Sequence, residues 1–433
     1  ALFDTQTLPW GPAGKTHFNN PGPLSELRGI QLPIHEKGYG QRWLRGEFLD
    51  LALWQNYFRT NGLAPEVFRA EPAYDVLRAL SKFDSLLNQL RAAGRRPGTR
   101  FPIRYEQGLL AQNPQLKVLQ DLSHVLCLRS VAEVSLGKTA EALDDIRLGF
   151  RLAEALKNEP GFLSSQARQE MLIESLQAVW EGLALHRWTA GELRSLQIEL
   201  ARIDLLSEFD AAWRSEMILW VDLGNKVLAA GTARSGSVLP ASAELWIRLY
   251  PSGWVRQNQA ALYRCYRDLS QAVEPKSQRV RVSAAAAAHG RLREYYGADP
   301  AFCLLCLPKL NLMYLTGVPQ LAFTQTAINQ AALACALESY RLDSGEYPED
   351  LKTLTPEYAG RIPHDLITGA PLKYRRVSTN AFELYSVGWN ETDEHGRPGP
   401  ISFDHRQRDE LWKTILEGDW SWTYPSGALP AKP

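Results

Sequence analysis

Hydrophobic positions recur every three or four residues along most of the chain, which is the spacing of one face of an α-helix. The first set is Leu44, Phe48, Leu51, Trp54 and Phe58. The same spacing predicts further helices at residues 73–93, 116–136, 139–156, 166–185, 190–203 and 208–228. An alanine run at 284–288 also favours helix, since alanine has the highest helix propensity. The pattern therefore predicts a mainly α protein built from antiparallel helical hairpins.

Short breaks separate the predicted helices. Gly137-Lys138-Thr139 predicts a tight hairpin turn. The run at 136–143, with small alanines that allow two helices to approach closely, resembles a tetratricopeptide helix turn. One such unit predicts an arrangement that is tetratricopeptide-like in part. Ser207 is expected to cap the helix at 208–228.

The helical pattern is interrupted in two parts of the chain. Residues 1–40 carry Pro9, Pro21, Pro23 and Pro33, which predict an extended N-terminal arm. An apolar but weakly periodic stretch at 302–316 is expected to be a buried connection. We therefore place domain boundaries so that the arm covers 1–40, a helical domain covers 41–316 and a small α+β module covers 317–433.

The module begins with an alanine-rich helix at 324–340, which is expected to stop near Gly345 because glycine adopts the left-handed conformation that ends helices. The β-prone segments 372–377 and 382–387 follow a turn at 368–371. These two segments predict an antiparallel hairpin.

Several short motifs follow one another in this module. They are Tyr-Arg-Leu-Asp-Ser-Gly-Glu-Tyr-Pro at 340–348, Pro-His-Asp at 363–365, Gly-Ala-Pro-Leu-Lys-Tyr at 369–374 and Leu-Tyr-Ser-Val-Gly at 384–388. Their order resembles that of the type II secretion major pseudopilin over about 110 residues. Pseudopilins begin with an apolar assembly helix, whereas here about 320 other residues precede the module. The resemblance therefore implies a docking element and not a filament subunit.

The chain as a whole also resembles membrane-tethered bacterial envelope proteins in which a helical body precedes a pseudopilin-like end. The residues that carry this wider resemblance are 104–108, the Gly137 hairpin, 142–145 and 419–425. This resemblance implies an extracytoplasmic location, in the periplasm or at the cell surface. The start at Ala1 suits a mature chain whose N-terminal membrane anchor has been removed.

The pseudopilin resemblance also implies calcium in the acidic loop that follows the Leu-Tyr-Ser strand. The candidate ligands are Ser386, Asn390, Asp393 and Asp419, since calcium takes roughly six to eight oxygen ligands. A solvated loop without metal is the alternative. His395 and His405 raise the question of zinc, but no paired ligand spacing accompanies them.

Composition narrows the classes of function. Hydrophobic residues make up 45% and charged residues 22% of the chain, as in folded globular proteins. Lys plus Arg and Asp plus Glu are 48 each, so no global basic field favours nucleic acid as a partner. The five cysteines are too sparse for a disulfide framework, and Cys303 and Cys306 are interpreted as buried structural residues despite their redox-motif spacing.

No nucleophile elbow, phosphate loop or dinucleotide fingerprint is present in the sequence. Residues that could converge in a catalytic site are His124, Glu106, Asp144 and Asp145. The Trp213–Met217 segment could line a ligand pocket, although a surface charge or an internal Arg/Glu pair is the simpler interpretation. The basic segment at 94–98 is interpreted as a solvated loop, with a phosphate site as the alternative.

Three hypotheses follow for the function. The first is a non-enzymatic envelope protein that binds a protein or peptide partner and docks through its pseudopilin-like module. The alternative is a hydrolase or carbohydrate-acting enzyme with an acidic, aromatic cleft in the helical domain. The third is a cytoplasmic helical scaffold, for which the pilin resemblance would be a coincidence.

Overall fold

A computed structural model describes residues 39–60, 71–96, 98–111, 113–232, 251–297, 307–399 and 415–423. Its α-helices are α1 (Leu51–Thr60), α2 (Pro72–Leu80), α3 (Asp84–Ala93), α4 (Pro114–Ser135), α5 (Thr139–Glu154), α6 (Phe162–Ala184), α7 (Ala190–Ala201), α8 (Leu205–Thr232), α9 (Ser252–Ser270), α10 (Val282–Gly297) and α11 (Leu307–Ser344). Short 3-10 helices cover Tyr39–Arg45, Ser81–Phe83, Tyr105–Leu110 and Leu351–Leu354. Among the described residues, no helix has the length and apolar character needed to cross a membrane.

The prediction of a mainly helical protein is confirmed. Helices α4, α5 and α6 pack against one another in all three pairs. Gly137, which joins α4 to α5, has a φ of +72°, a conformation that glycine adopts without steric cost. The tight hairpin expected at this position is therefore present.

Helix α6 lies at the centre of the body. It contacts α4, α5, α8, α11 and the 3-10 helix at Tyr39–Arg45, and almost all of its side chains are buried. Gly182 near its C-terminal end lets the indole of Trp188 pack directly on the helix backbone, where any Cβ would overlap the ring. The Trp188 Nε1–H donates to the Val179 carbonyl at 3.1 Å.

The C-terminal sheet is antiparallel, in the order β3 (Lys373–Ser378), β4 (Ala381–Ser386) and β5 (Trp420–Thr423). The register pairs Tyr374 with Leu384 and Leu384 with Trp422. The sheet packs on α11, where the Phe323 and Trp420 rings meet edge to face. The hairpin predicted at 372–387 is thus confirmed, and β5 is a third strand that the sequence pattern did not predict. A two-stranded ribbon, β1 (Val273–Glu274) and β2 (Arg279–Val280), precedes α10.

Three local predictions differ from the structure. The pattern that begins at Leu44 is split, because Gly46 has a φ of +67° and separates the first 3-10 helix from α1. A 3-10 turn at Ser81–Phe83 divides the predicted 73–93 helix into α2 and α3. Ser207 is not the cap expected for α8, because the helix already begins at Leu205. The Asp204 side chain accepts from the Ser207 backbone N–H at 3.0 Å and takes the capping role.

The buried hydrophobic residues form one cluster that extends from Trp43 to Trp422. Helix α11 runs without a break from Leu307 to Ser344, so the boundary predicted near Gly317 falls inside a helix. This helix packs along α6 and α7 of the body before it leads into the sheet. Most of the predicted N-terminal arm, 1–38, lies outside the described residues.

Candidate functional site

The acidic loop predicted to bind calcium follows β4 and folds back against β5. Asp393, one predicted ligand, is held by other protein groups. Its Oδ2 lies 3.1 Å from the Lys373 ammonium nitrogen, and its Oδ1 accepts from the Tyr385 hydroxyl at 3.2 Å and the His395 N–H at 3.0 Å. These hydrogen bonds, led by that from His395, lower the pKa of Asp393. Its carboxylate is therefore neutralised by Lys373, which lies on β3, the strand next to β4.

Two further predicted ligands stabilise the loop itself. Ser386 is fully buried, and its Oγ accepts from the Gly388 N–H at 3.3 Å. The Asn390 Oδ1 accepts from the Thr392 N–H at 3.1 Å, and its Nδ2 donates to Oε1 of Glu394 at 2.7 Å. The side-chain oxygens of Ser386 and Asn390 therefore already accept hydrogen bonds from the loop backbone.

Asp419 is the predicted ligand that remains available. It is 2% exposed, and its Oδ2 accepts from the Gly396 N–H at 2.7 Å. Its Oδ1 is buried without a hydrogen-bond partner among the described residues, and so is Oε2 of Glu394. Burial, with contact from the Glu394 carboxyl as a smaller cause, raises the pKa of Asp419 to about 6. This carboxyl pair is the part of the loop that fits a cation or a shared proton.

The described ranges contain no group of three or more His, Cys, Asp or Glu residues that could hold a metal ion. The side chain of His395 is 89% exposed. His405 lies outside the described residues, as do Cys303 and Cys306. Cys127, Cys265 and Cys335 are buried free thiols, and burial raises the pKa of each, which disfavours the reactive thiolate.

The candidate catalytic residues are separated. His124 on α4 pairs with Glu174 on α6. Burial lowers the pKa of His124, but the charge of Glu174 and the hydrogen bond to it outweigh burial and leave the pKa raised. Asp144 is exposed and pairs with Arg147, 3.5 Å away. Glu106 is exposed on the 3-10 helix at Tyr105–Leu110. These three residues therefore lie on three different elements, namely α4, α5 and the 3-10 helix at Tyr105–Leu110.

Asp145 belongs to a buried ionic cluster between α3, α4 and α5. It is fully buried and pairs with Arg91 and, at 2.9 Å, with Nε of Arg129. Glu133 lies beside this cluster, and burial together with the Asp145 charge raises its pKa to about 8. Arg129 also lies 3.6 Å from Glu133 and 2.8 Å from Asp84. The arrangement locks three helices together.

In the Trp213–Met217 segment Arg214 is a surface charge, which is one of the two simpler interpretations, and it does not pair with Glu216. Arg214 is exposed and pairs with Asp210 one turn earlier. Glu216 is 5% exposed, and its Oε2 accepts from the Phe162 N–H at 2.8 Å, at the first residue of α6. A carboxylate at this position complements the positive end of the helix dipole. Its role is to fix α8 against α6.

A buried carboxylate joins the body to the C-terminal module. Glu338 on α11 is fully buried and accepts from Arg341, at 2.6 and 2.9 Å, and from the Tyr347 hydroxyl at 2.6 Å. Its Oε1 also lies 2.9 Å from Nδ1 of His186, in the turn after α6. Sequence periodicity could not reveal this cluster, because its members come from distant segments. Two of its members, Arg341 and Tyr347, lie in the Tyr-Arg-Leu-Asp-Ser-Gly-Glu-Tyr-Pro motif at 340–348.

Comparison of the chain with family models, with curated proteins and with solved structures finds no match.

Proposed function

We propose that the protein is a non-enzymatic binding or scaffold protein of the bacterial envelope, in which the helical body presents a partner surface and holds a pseudopilin-like docking module in a fixed position. The observation that carries the proposal is the Glu338 cluster, which joins the two parts through buried, charge-assisted hydrogen bonds. A module that recognises a neighbour while rigidly fixed binds with less loss of conformational freedom.

The use of the charged side chains supports a binding role. His124 and Asp145, which could serve as general acids or bases, are engaged in pairs that join neighbouring helices. Asp144, another candidate, is exposed and pairs with Arg147. The extracytoplasmic location and the removed membrane anchor rest on the resemblance to tethered envelope proteins.

Calcium in the acidic loop is a second part of the proposal. The buried carboxylate oxygens of Asp419 and Glu394 that lack partners fit a hard cation that prefers oxygen ligands. Asp393 would remain paired with Lys373. Bound calcium would fix the loop against β5.

Three exposed apolar side chains are candidates for the partner surface. Leu163 and Ile218 are each 57% exposed, and Tyr263 is 54% exposed. They lie on α6, α8 and α9, which meet through the Phe162, Trp213 and Tyr266 rings. Exposed aromatic and aliphatic side chains anchor many protein interfaces.

The test uses photo-crosslinking in bacterial cells that express the full-length protein. A photoreactive amino acid replaces Leu163, Ile218 or Tyr263, and matched controls carry it at the exposed polar positions Arg214 and Arg264 of α8 and α9. We expect a discrete crosslinked species from the apolar positions and none from the controls. Equal crosslinking at all five positions, or none at any, would contradict the proposed partner surface.

A further inference from the structure

The segment between α3 and the following 3-10 helix has an unusual charge. It contains Arg95, Arg96, Arg100 and Arg104, and Arg91 lies just before it in the last turn of α3. No acidic residue occurs between Asp84 and Glu106. The whole chain has a formal net charge of zero, so this basic run is a local feature. Arg91 is accounted for by its pairing with buried Asp145. The other four need a separate explanation.

These four arginines lie at one end of the body, beside the C-terminal end of α5. At one end of the segment, Gly94 lies against the Arg151 stem, and a Cβ on Gly94 would be 3.6 Å from Arg151 Cδ. At the other end, the Tyr105 hydroxyl bonds to Glu159, just after α5. The two ends of the segment therefore lie against the C-terminal end of α5 and the residues that follow it. We call Arg95, Arg96, Arg100, Arg104 and Arg151 the arginine turn.

The arginine turn is exposed and uncompensated. All five side chains are exposed, and none forms an ion pair within the described part of the chain. Of the nearby acids, Glu154 pairs with Arg168 and Lys157, and Glu159 bonds to Tyr105. Glu106, two residues after Arg104, is exposed and forms no ion pair with these arginines in the described part of the chain. Exposed guanidinium groups contribute little to folding when they have no partner. The cluster is therefore available to an external anion.

The chemistry of the cluster favours phosphate groups. A guanidinium offers a planar fork of donors that binds phosphate oxygens in a bidentate manner. None of the exposed large apolar side chains lies in this segment, and Phe101 is buried. A protein partner would be expected to use such an apolar anchor, and single-stranded nucleic acid would be expected to use exposed aromatic rings.

We propose that the arginine turn docks on the phosphate headgroups of an anionic phospholipid membrane. This contact is separate from the proposed N-terminal anchor and from the partner surface. It would orient the body relative to the membrane, with the C-terminal end of α5 facing the lipid. Its strength would fall as salt increases, because the interaction is between exposed charges.

The experiment is co-sedimentation of the chain with phosphatidylcholine vesicles that contain or lack phosphatidylglycerol. The test variant is Arg95→Gln/Arg96→Gln/Arg100→Gln/Arg104→Gln. The control is Arg187→Gln/Arg194→Gln/Arg256→Gln/Arg361→Gln, which removes the same charge from dispersed, exposed arginines. Circular dichroism and thermal unfolding would check that both variants keep the fold.

We expect binding to the anionic vesicles alone, weakened by salt, retained by the control and lost by the test variant. Each arginine near an anionic surface contributes a factor of about five in affinity, so a loss of at least about tenfold is expected. Equal losses in both variants, equal binding to neutral vesicles, or no binding would overturn the proposal. Binding of duplex DNA as tightly as vesicles at the same salt would overturn the assignment to a membrane.

Discussion

Nδ1 of His186 lies 2.9 Å from Oε1 of Glu338, across the contact between the turn after α6 and helix α11. Burial alone would raise the pKa of Glu338, but its hydrogen bonds to Arg341 and His186 outweigh burial and lower the pKa. The carboxylate is therefore ionised in the folded protein. Its negative charge is what holds Arg341, Tyr347 and His186 in one arrangement.

Glu338→Gln should destabilise the protein by about 3 to 5 kcal/mol, because it leaves Arg341 beside a neutral amide in a buried site. Urea unfolding at pH 7 measures the change. The control is Glu346→Gln, which removes an exposed partner of Arg376 and should cost no more than about 1 kcal/mol. A change in Glu338→Gln as small as in the control would show that the cluster does not join the two parts.

The close contact between Gly182 and Trp188 leads to a second prediction. Gly182→Ala should destabilise the protein by about 1 to 3 kcal/mol or more, because the added methyl group displaces the indole ring. Without that clash, alanine would stabilise a helix by up to about 1 kcal/mol. Gly191→Ala is the matched control, since a Cβ there meets nothing within 4 Å in α7. Thermal unfolding of the two variants should show shifts of opposite sign.

Glu181 makes the docking of the first described segment depend on pH. It is 4% exposed, and its Oε1 accepts from the Leu49 N–H at 2.9 Å and from Gln177 at 2.8 Å. Burial raises its pKa to about 7, and Arg42 is the charged group that opposes this shift. An unfolded glutamate has a pKa of about 4.3, so the folded state holds the proton more tightly.

The contribution of Glu181 to stability is therefore fully present below pH of about 4.3 and is lost as pH rises through about 7. The loss is about 4 kcal/mol, since the two pKa values differ by about 2.7 units and each unit is worth about 1.4 kcal/mol. In Glu181→Gln, which mimics the neutral acid, unfolding free energies measured across this range should show a flatter pH dependence than in the parent chain. The exposed Glu357→Gln is the control and should leave the profile unchanged. Parallel profiles for the parent and Glu181→Gln would refute the assignment.

Variants of Asp419 and Asp393 distinguish two possible calcium sites, the buried Asp419–Glu394 pair and the ligand set predicted from the sequence. If the buried carboxyl pair is the site, Asp419→Asn should abolish calcium binding measured by calorimetry on the whole chain, because it removes the buried carboxylate oxygen that lacks a partner. Asp393→Asn should retain binding, because Asp393 is paired with Lys373. The opposite ranking would favour the ligand set predicted from the sequence. If the parent chain does not bind calcium, both sites are excluded.

The sequence predicted the helices well where an apolar face repeats over many residues. Helix α4 was expected at 116–136 and covers Pro114–Ser135, and the hairpin at Gly137 was predicted from its turn residues. The prediction of one continuous helix was wrong at Gly46. The hydrophobic spacing continues across this residue, but its positive φ ends the first 3-10 helix before α1 begins. Strand β5 was missed because four residues are too few to show a repeat.

The acidic loop shows why the candidate site was predicted only in part. Residue type and order identified Asp419 as an oxygen donor, and the structure places it in a buried pair. They could not show that Lys373, on the neighbouring strand, neutralises Asp393. That pairing depends on the register of β3 against β4. The Glu338 cluster was missed for the same reason, since His186 and Glu338 lie far apart in the sequence.

The indole rings of Trp43 and Trp422 lie with their centroids 4.9 Å apart, near opposite ends of the described chain. The first 3-10 helix thus rests on the last strand. A fragment cut at Gly317 would divide α11 and strip Trp422 of its ring partner, so it would expose a large apolar surface in both halves. Pieces made in this way would be expected to aggregate, whereas two halves expressed together have complementary surfaces and could reassemble.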